Sequence, residues 1–191
     1  MVTSPRRLRS TARLVDAAVT LLCTEGVGGV SVQRVADTAG VSKGLVHYHF
    51  RDKDALLAAC ASALVADLVA RDELARQGAD ATGILDGLWR ALESSLQDGR
   101  RRAWLALCAE SPPAIRDTLA ALAADRHAAA LALLGTLADL LSWTPRVPRP
   151  TLAAAYVALG DGLALDAAIR LSAEHRRAFD AFWFSVLADG G

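Results

Sequence analysis

The sequence predicts an all-α fold, and three observations carry that expectation. Every strong apolar periodicity follows the spacing of a helix, with apolar residues recurring three and four positions apart. No run shows the period-two alternation of a half-buried strand. Hydrophobic residues make up 53% of the 191-residue chain against 22% charged, which is enough to bury a core. The alanine- and leucine-rich stretches therefore read as close-packed helices.

The elements follow in order. Leu14, Val15, Ala18, Leu21 and Leu22 share one face of a first helix, expected to end at Glu25-Gly26, where glycine can supply a left-handed cap. Ser31 can cap a short helix over Val32–Ala39, with Val32, Val35, Ala36 and Ala39 inward. Gly40 stops it, and Ser42 can cap a second short helix over Lys43–Phe50. Asp52 starts a longer one with Leu56, Leu57, Cys60, Leu64 and Leu68 on one face. After Gln77-Gly78, the residues Ile84, Leu85, Leu88, Trp89, Leu92 and Leu96 mark a helix broken near Asp98-Gly99. Arg100–Glu110 is the next, closed by Ser111-Pro112-Pro113, whose prolines suit the start of a helix running to about Ser142. Three prolines within Thr144–Pro150 require a loop. Two last helices are expected over about Pro150–Ser172 and Ala173–Ala188. The expected domains are a small N-terminal head at 1–56 and a larger helical domain at 57–191.

The charge total is zero, but its distribution is uneven. Residues 1–56 hold eight basic side chains against five acidic ones, and the remainder is acidic by the same margin. Phosphate contact needs local positive potential and not a basic average. Arg100-Arg101-Arg102 could form a second basic patch, though a solvated helix start is the expected reading. Cys23, Cys60 and Cys108 are far apart with no CxxC pair, so they read as buried reduced thiols, with neither zinc nor disulfide framework indicated. The first ten residues lack the apolar segment of a signal peptide, and Ala128–Leu141 is too short to span a bilayer. A cytoplasmic protein is expected.

Catalysis finds no support. The serines and the four histidines form no nucleophile constellation, and Gly26-Val27-Gly28-Gly29 follows no strand that would make it a phosphate-cradling loop. His47 and His49 stand two apart on a helix, about 200° around its axis, which is unsuited to joint chelation. No enzyme, metal site or cofactor is expected.

Two short helices joined through Gly40, after a longer supporting helix, are what a helix-turn-helix requires. Val35, Ala36, Val41 and Val46 fall inward; Gln33, Arg34, Lys43, Gly44, Leu45 and His47 fall outward. Gly44 would keep the second helix slim where the backbone approaches DNA. The stretch from Ser31 to Leu56 resembles the N-terminal domain of the TetR (tetracycline-repressor-like) family. The resemblance rests on Ala39-Gly40-Val41-Ser42, Lys43-Gly44, the aromatic cluster ending in Phe50, and Lys53 followed by Leu56; it covers about residues 8–57. Tyr156–Ala168 is faintly similar to C-terminal domains of regulators related to the choline–betaine branch.

The resemblance implies a homodimeric transcriptional regulator released from a palindromic double-stranded operator by a small-molecule effector. An activator or ligand-independent regulator of the same fold, or a helical interaction module without DNA binding, is the alternative. The resemblance implies that Ser31 and its helix start touch phosphate, and that Gln33 or Arg34, with Ser42, Lys43, Gly44 and Leu45, lie near base edges. His47 and Tyr48 would bind the DNA backbone and Lys53 a phosphate at the start of the fourth helix. The sequence departs from the family pattern at Leu45, His47 and His49. Leu45 could touch a thymine methyl or pack inward, and His49 is expected to pack.

Dimerisation in this family runs through the last two helices, which here contain Leu159, Gly160, Leu163, Ala164, Phe179, Phe182 and Trp183. Small residues would let those helices approach and the aromatics would fill the seam. Trp89, Trp104, Cys108, His127 and Tyr156 are the candidate ligand-binding residues, with an ordinary core, Trp143 included, as the other reading. Asp161 and Asp166 would be a ligand's counter-charge or face solvent.

Overall fold

The computed structural model describes residues 5–188, and every helix or strand among them is a helix. In chain order these are α1 Pro5–Gly29, α2 Val32–Ala39, α3 Lys43–His49, α4 Lys53–Arg76, α5 Ala81–Gln97, α6 Arg100–Glu110, α7 Arg116–Leu141, α8 Arg149–Ala167 and α9 Ala173–Ala188. A single 3-10 turn at Pro113–Ile115 precedes α7. No helix among the described residues is long and apolar enough to cross a membrane.

The chain forms two compact units. The first runs through Val65 and includes Ala103–Leu122; the second comprises Ala66–Arg102 and the chain from Ala123 onward.

In the first unit, α1 differs from expectation at its end. Gly26 has φ 72° and ψ −170°, so it kinks the helix instead of closing it with the left-handed cap, and one more turn reaches Gly29. The two short helices are capped at both ends as their sequences require. The Ser31 side chain accepts from the Arg34 N–H, and Gly40 takes the left-handed conformation, φ 63° and ψ 41°, where a Cβ would be strained. Ser42 accepts from the Leu45 N–H in the same way. The Asp52 carboxylate accepts from the Ala55 N–H at 2.8 Å and starts α4; this bond holds its pKa below the ordinary value. Leu14, Ala18, Leu22, Val35, Ala36, Val46, Leu56 and Leu57 are buried.

The second unit packs α5, α7, α8 and α9 around Ile84, Leu88, Leu92, Leu133, Leu134, Leu137, Phe179 and Trp183. Trp89 meets Phe179 with ring centroids 5.6 Å apart, and Tyr156 meets Trp183 at 5.4 Å. These tilted pairings suit aromatic quadrupoles better than face-to-face stacking.

Three sequence-based expectations change here. Helix α8 stops at Ala167, short of Ser172. The corner after it is turned by buried His175, whose Nδ1 accepts the Ser172 N–H at 3.1 Å while Nε2 lies 3.0 Å from Asp166. Cys60 is buried, which pushes its thiol up to about 12, whereas Cys108 is exposed and not part of an apolar interior. The expected dimer seam is out of phase. Gly160, Ala164, Phe179 and Trp183 point into their own unit, and Leu159, Leu163 and Phe182 pack partly against the same core. The outward apolar side chains near these helices are Leu165, Ile169, Leu171 and Phe184. The reason is ordinary helix phase: the core takes the stripe through Phe179 and Trp183, four residues apart, and leaves Phe184 outside.

Candidate nucleic-acid interface

Helices α2 and α3, with the start of α4, bring most of the expected contact residues onto exposed surface of the first unit. Ser31, Gln33, Arg34, Ser42, Lys43, Gly44, His47, Tyr48 and Lys53 are all exposed, and Leu45 is half-buried. The buried counterparts Val35, Ala36 and Val46 fix the rotation of the two helices, so Lys43, Gly44 and His47 must face outward. A Cβ built on Gly44 would meet only the Ser42 Oγ at 3.9 Å. The fold itself thus leaves room for a side chain at Gly44.

Several of these groups have internal partners. The Gln33 amide donates to the Asp37 carboxylate at 2.8 Å. The Arg34 guanidinium is gripped by both oxygens of Glu25, an exposed pair that lowers the Glu25 pKa and raises that of Arg34 through the shared hydrogen bonds. Such exposed pairs typically contribute roughly 0–1 kcal/mol. The Lys53 ammonium donates to the Val27 carbonyl at 3.2 Å. That bond holds the base of α4 against the end of α1 and keeps the positive charge near the α4 N-terminus.

Sequence reasoning missed the way α3 is tied to α1. His49 does pack, but through hydrogen bonds: its Nε2 lies 2.8 Å from the Ser10 hydroxyl and its Nδ1 2.9 Å from the Thr11 hydroxyl. Both hydroxyls also lie 2.9 Å from the Arg7 carbonyl; beside a neutral imidazole, one hydroxyl accepts from the ring and keeps its proton on that carbonyl, and the other turns its single proton to the ring. Partial burial, then the nearby Arg7 charge, lower the His49 pKa. The Arg7 guanidinium sits 5.5 Å from the centroid of the Tyr48 ring, and Arg13 donates to the Ala39 carbonyl at 2.9 Å. The sequence signal was available in principle: Ser10 and Thr11 are small hydroxyl residues one helical turn before the apolar stripe of α1.

The five expected ligand-binding residues do not gather at one place within a unit. Trp104 is buried and Cys108 exposed on the first unit's part of α6. In the second unit Trp89 is buried against Phe179, His127 is exposed on α7, and Tyr156 is buried. What sequence reasoning missed there is a buried polar cluster. Arg126 reaches Asp161 through both carboxylate oxygens at 2.7 and 3.0 Å, and Arg101 reaches it at 3.3 Å. The Tyr156 hydroxyl donates to Asp72 at 3.3 Å. Arg101 is therefore not a solvated end of an arginine run: only 7% of its side chain is exposed. Asp161 is a counter-charge, but to two of the protein's own side chains. No group of three or more His, Cys, Asp or Glu residues among those described could hold a metal ion.

The comparisons agree with this geometry. A family profile described as "Bacterial regulatory proteins, tetR family" matches residues 14–60, the region carrying the helix-turn-helix. The regulator BetI of Yersinia pestis (strain Pestoides F) is 30% identical over 110 residues, 52% of this chain and 52% of that one, so the chain spans about half the length of this relative. The BetI of Paraburkholderia xenovorans is 29% identical over 167 residues, 83% of this chain and 81% of its own. Among solved structures, a TetR-family regulator from Rhodococcus sp. superposes with a TM-score of 0.79 at 21% identity, over 94% of this chain and 99% of that one. A regulator from Pseudomonas aeruginosa PAO1 gives 0.75 at 25% identity, over 97% and 93%. With the capped α2–Gly40–α3 unit in place and the family profile falling on it, the helix-turn-helix region at residues 14–60 is that of the bacterial regulatory proteins of the tetR family.

Proposed function

We propose that this chain is a sequence-specific DNA-binding transcriptional regulator, a cytoplasmic homodimer released from a palindromic operator by a small-molecule effector. The observation that carries the DNA-binding part is the α3 surface: Lys43, Gly44, His47 and Tyr48 stand exposed on a helix whose rotation Val46 fixes from inside. Lys43 and Ser42 face base edges; Ser31, His47, Tyr48 and Lys53 hold phosphates. The reading head is residues 1–56, and the remainder carries dimer and effector surfaces. One recognition helix reads too few bases for genomic specificity, so two copies are needed.

The name of AcnR of Corynebacterium efficiens as a transcriptional repressor, and of the BetI relatives as transcriptional regulators, is in keeping with this role. Effector control is supported by the polar cluster beside Tyr156, which places costly buried charges in the second unit. The test is selection of bound sequences from a random duplex library, followed by a fluorescence-anisotropy titration of the selected duplex. A palindromic consensus bound two chains to a duplex is the expected result. Equal affinity for all duplexes would refute sequence-specific regulation.

A further inference from the structure

Helix α1 aims its first turn at the end of α3. The stripe that buries Leu14 and Ala18 runs back through Ser10 and Thr11 to Arg7, at helical spacings of three and four. The Arg7 carbonyl accepts from both hydroxyls at 2.9 Å, and the same hydroxyls meet the His49 ring at 2.8 and 2.9 Å. The backbone at Arg7 is thereby fixed against α3. Its guanidinium lies over the exposed Tyr48 ring, 5.5 Å from the centroid. Tyr48 follows Gly44 by one helical turn, so Arg7 continues the exposed surface proposed to meet DNA. The charge on Arg7 is not spent inside the protein. Arg13 donates to the Ala39 carbonyl, Arg34 is paired with Glu25, and Arg51 with Asp52. The Arg7 guanidinium makes no hydrogen bond or ion pair with a described residue.

We propose that Arg7 is a further DNA contact, a clamp on a backbone phosphate beside the bases that α3 faces, and that the Tyr48 ring positions it. A guanidinium over a ring keeps its N–H groups, which lie in its own plane, for an acceptor beyond the ring. A phosphodiester suits that fork because it offers two oxygens at once. Holding the side chain over the ring before binding lowers the ordering cost of the contact. Arg7 lies outside residues 14–60, the part of the chain matched by the family profile. The inference rests on the DNA-binding reading given above and adds to it the path of the duplex, whose backbone passes the first turn of α1.

The test is a fluorescence-anisotropy titration of the full chain on the selected duplex and on a shuffled one, between about 50 and 200 mM salt. A pH of about 8 keeps His49 neutral, since its pKa is lowered in the fold. Arg7→Gln is expected to weaken both duplexes by the same factor, roughly fivefold, and to reduce the salt slope by about one. Arg7→Lys keeps the charge and is expected to keep the parent's slope. Arg9→Gln removes an equal charge about 200° around the helix, and is expected to change the slope by less than half as much. In a Tyr48→Ala background, the cost of Arg7→Gln is expected to shrink from roughly fivefold to roughly twofold or less. Arg7 is exposed, so the unfolding midpoint of Arg7→Gln is expected to stay close to the parent's.

An Arg7→Gln variant with the parent's affinity and salt slope overturns the proposal and leaves DNA binding through α3 standing. An equal loss of slope in Arg9→Gln also overturns it, because the general charge of the N-terminus then accounts for the effect. So does a loss confined to the selected duplex, which would make Arg7 a reader of bases. An undiminished cost in the Tyr48→Ala background removes the positioning role of the ring. A parent that binds neither duplex defeats this inference and the DNA-binding reading together.

Discussion

Arg126 holds Asp161 through both carboxylate oxygens, at 2.7 and 3.0 Å, inside a unit otherwise filled with leucine and aromatic side chains. Asp161 also takes a hydrogen bond from Arg101, and both guanidinium side chains are only 7% exposed. Asp161→Ala is expected to destabilise by roughly 3 kcal/mol, because it strands two buried positive charges. The triple replacement Arg101→Met, Arg126→Met, Asp161→Leu is expected to recover most of that loss, since it removes the desolvation cost together with the pairing. Urea midpoints of the variants check both. A triple variant as unstable as Asp161→Ala would mean that the cluster's geometry, and not charge burial, dominates.

Gly44 separates the needs of folding from those of recognition. Open space surrounds its missing Cβ, and it lies within α3 with no left-handed backbone to protect. Gly44→Ala is therefore expected to stabilise the free protein by up to about 1 kcal/mol through helix propensity. The same methyl group stands on the surface proposed to meet DNA, so operator affinity is expected to fall. Thermal unfolding and anisotropy measured on one preparation give both signs. A variant as stable as expected that binds operator as before would remove Gly44 from the interface.

Lys53 and Lys43 are expected to fail differently. Lys53 is tied to the Val27 carbonyl at the base of α4, a fixed position suited to a phosphate. Lys53→Ala is expected to weaken operator and random duplex by the same factor, and to reduce the salt slope by about one. Lys43, on the outer face at the start of α3, is expected to lower operator preference when replaced by alanine. A changed sequence preference for Lys53→Ala, with the salt slope intact, would reverse the two assignments.

The hydroxyl pair around His49 gives a pH dependence with a definite sign. Desolvation, and then Arg7, lower its pKa in the folded protein, so the fold binds this proton less well than the unfolded chain does. The stability it contributes is present above the unfolded value of about 6.5 and is lost as pH falls from there through the lowered folded value. Unfolding midpoints are expected to fall more steeply between pH 7 and pH 5 in the parent than in His49→Gln. Equal slopes for parent and His49→Gln would assign the effect elsewhere.

How much of this was legible in the sequence depends on what each residue answers to. The caps Ser31, Gly40 and Ser42 act within one turn, so sequence alone placed α2 and α3 to within a residue. Ser42–Tyr48 could be read as an outward surface because Val46 fixes the phase. The polar cluster was not legible, since its members Asp72, Arg101, Arg126 and Asp161 come from four helices and only folding brings them together. A signal did exist in Arg126, which precedes Ala130 and Leu133 at helical spacing and so sits in an apolar stripe. Composition-based reading of Arg100-Arg101-Arg102 as solvated hid the same signal in Arg101. The α8–α9 surface failed for a simpler reason: apolar residues such as Leu165 and Phe184 also stand on the outward faces, and periodicity cannot say which apolar residues the monomer buries.

The phase of α8 and α9 leaves another set of apolar side chains outward for the proposed dimer contact. Phe179 and Trp183 are 0% and 1% exposed, so a partner cannot use them without unfolding the unit. Phe184 is 77% exposed, Ile169 88% and Leu165 58%, on or just beyond α8 and α9. Each such side chain contributes roughly 1.5–3 kcal/mol when fully buried, and two copies double the gain. Phe184→Glu and Ile169→Glu are therefore expected to give folded monomers, with helical content and unfolding midpoint close to those of the dissociated parent. Trp183→Ala is expected to lose roughly 3–5 kcal/mol of stability instead. Sedimentation velocity at micromolar concentration separates the outcomes: parent dimeric, the two glutamate variants monomeric. Operator affinity should fall with dimerisation, because a lone head retains only one half-site. Glutamate variants that remain dimeric would place the contact on another surface, and a parent that sediments as a monomer would remove the homodimer from the proposed mechanism.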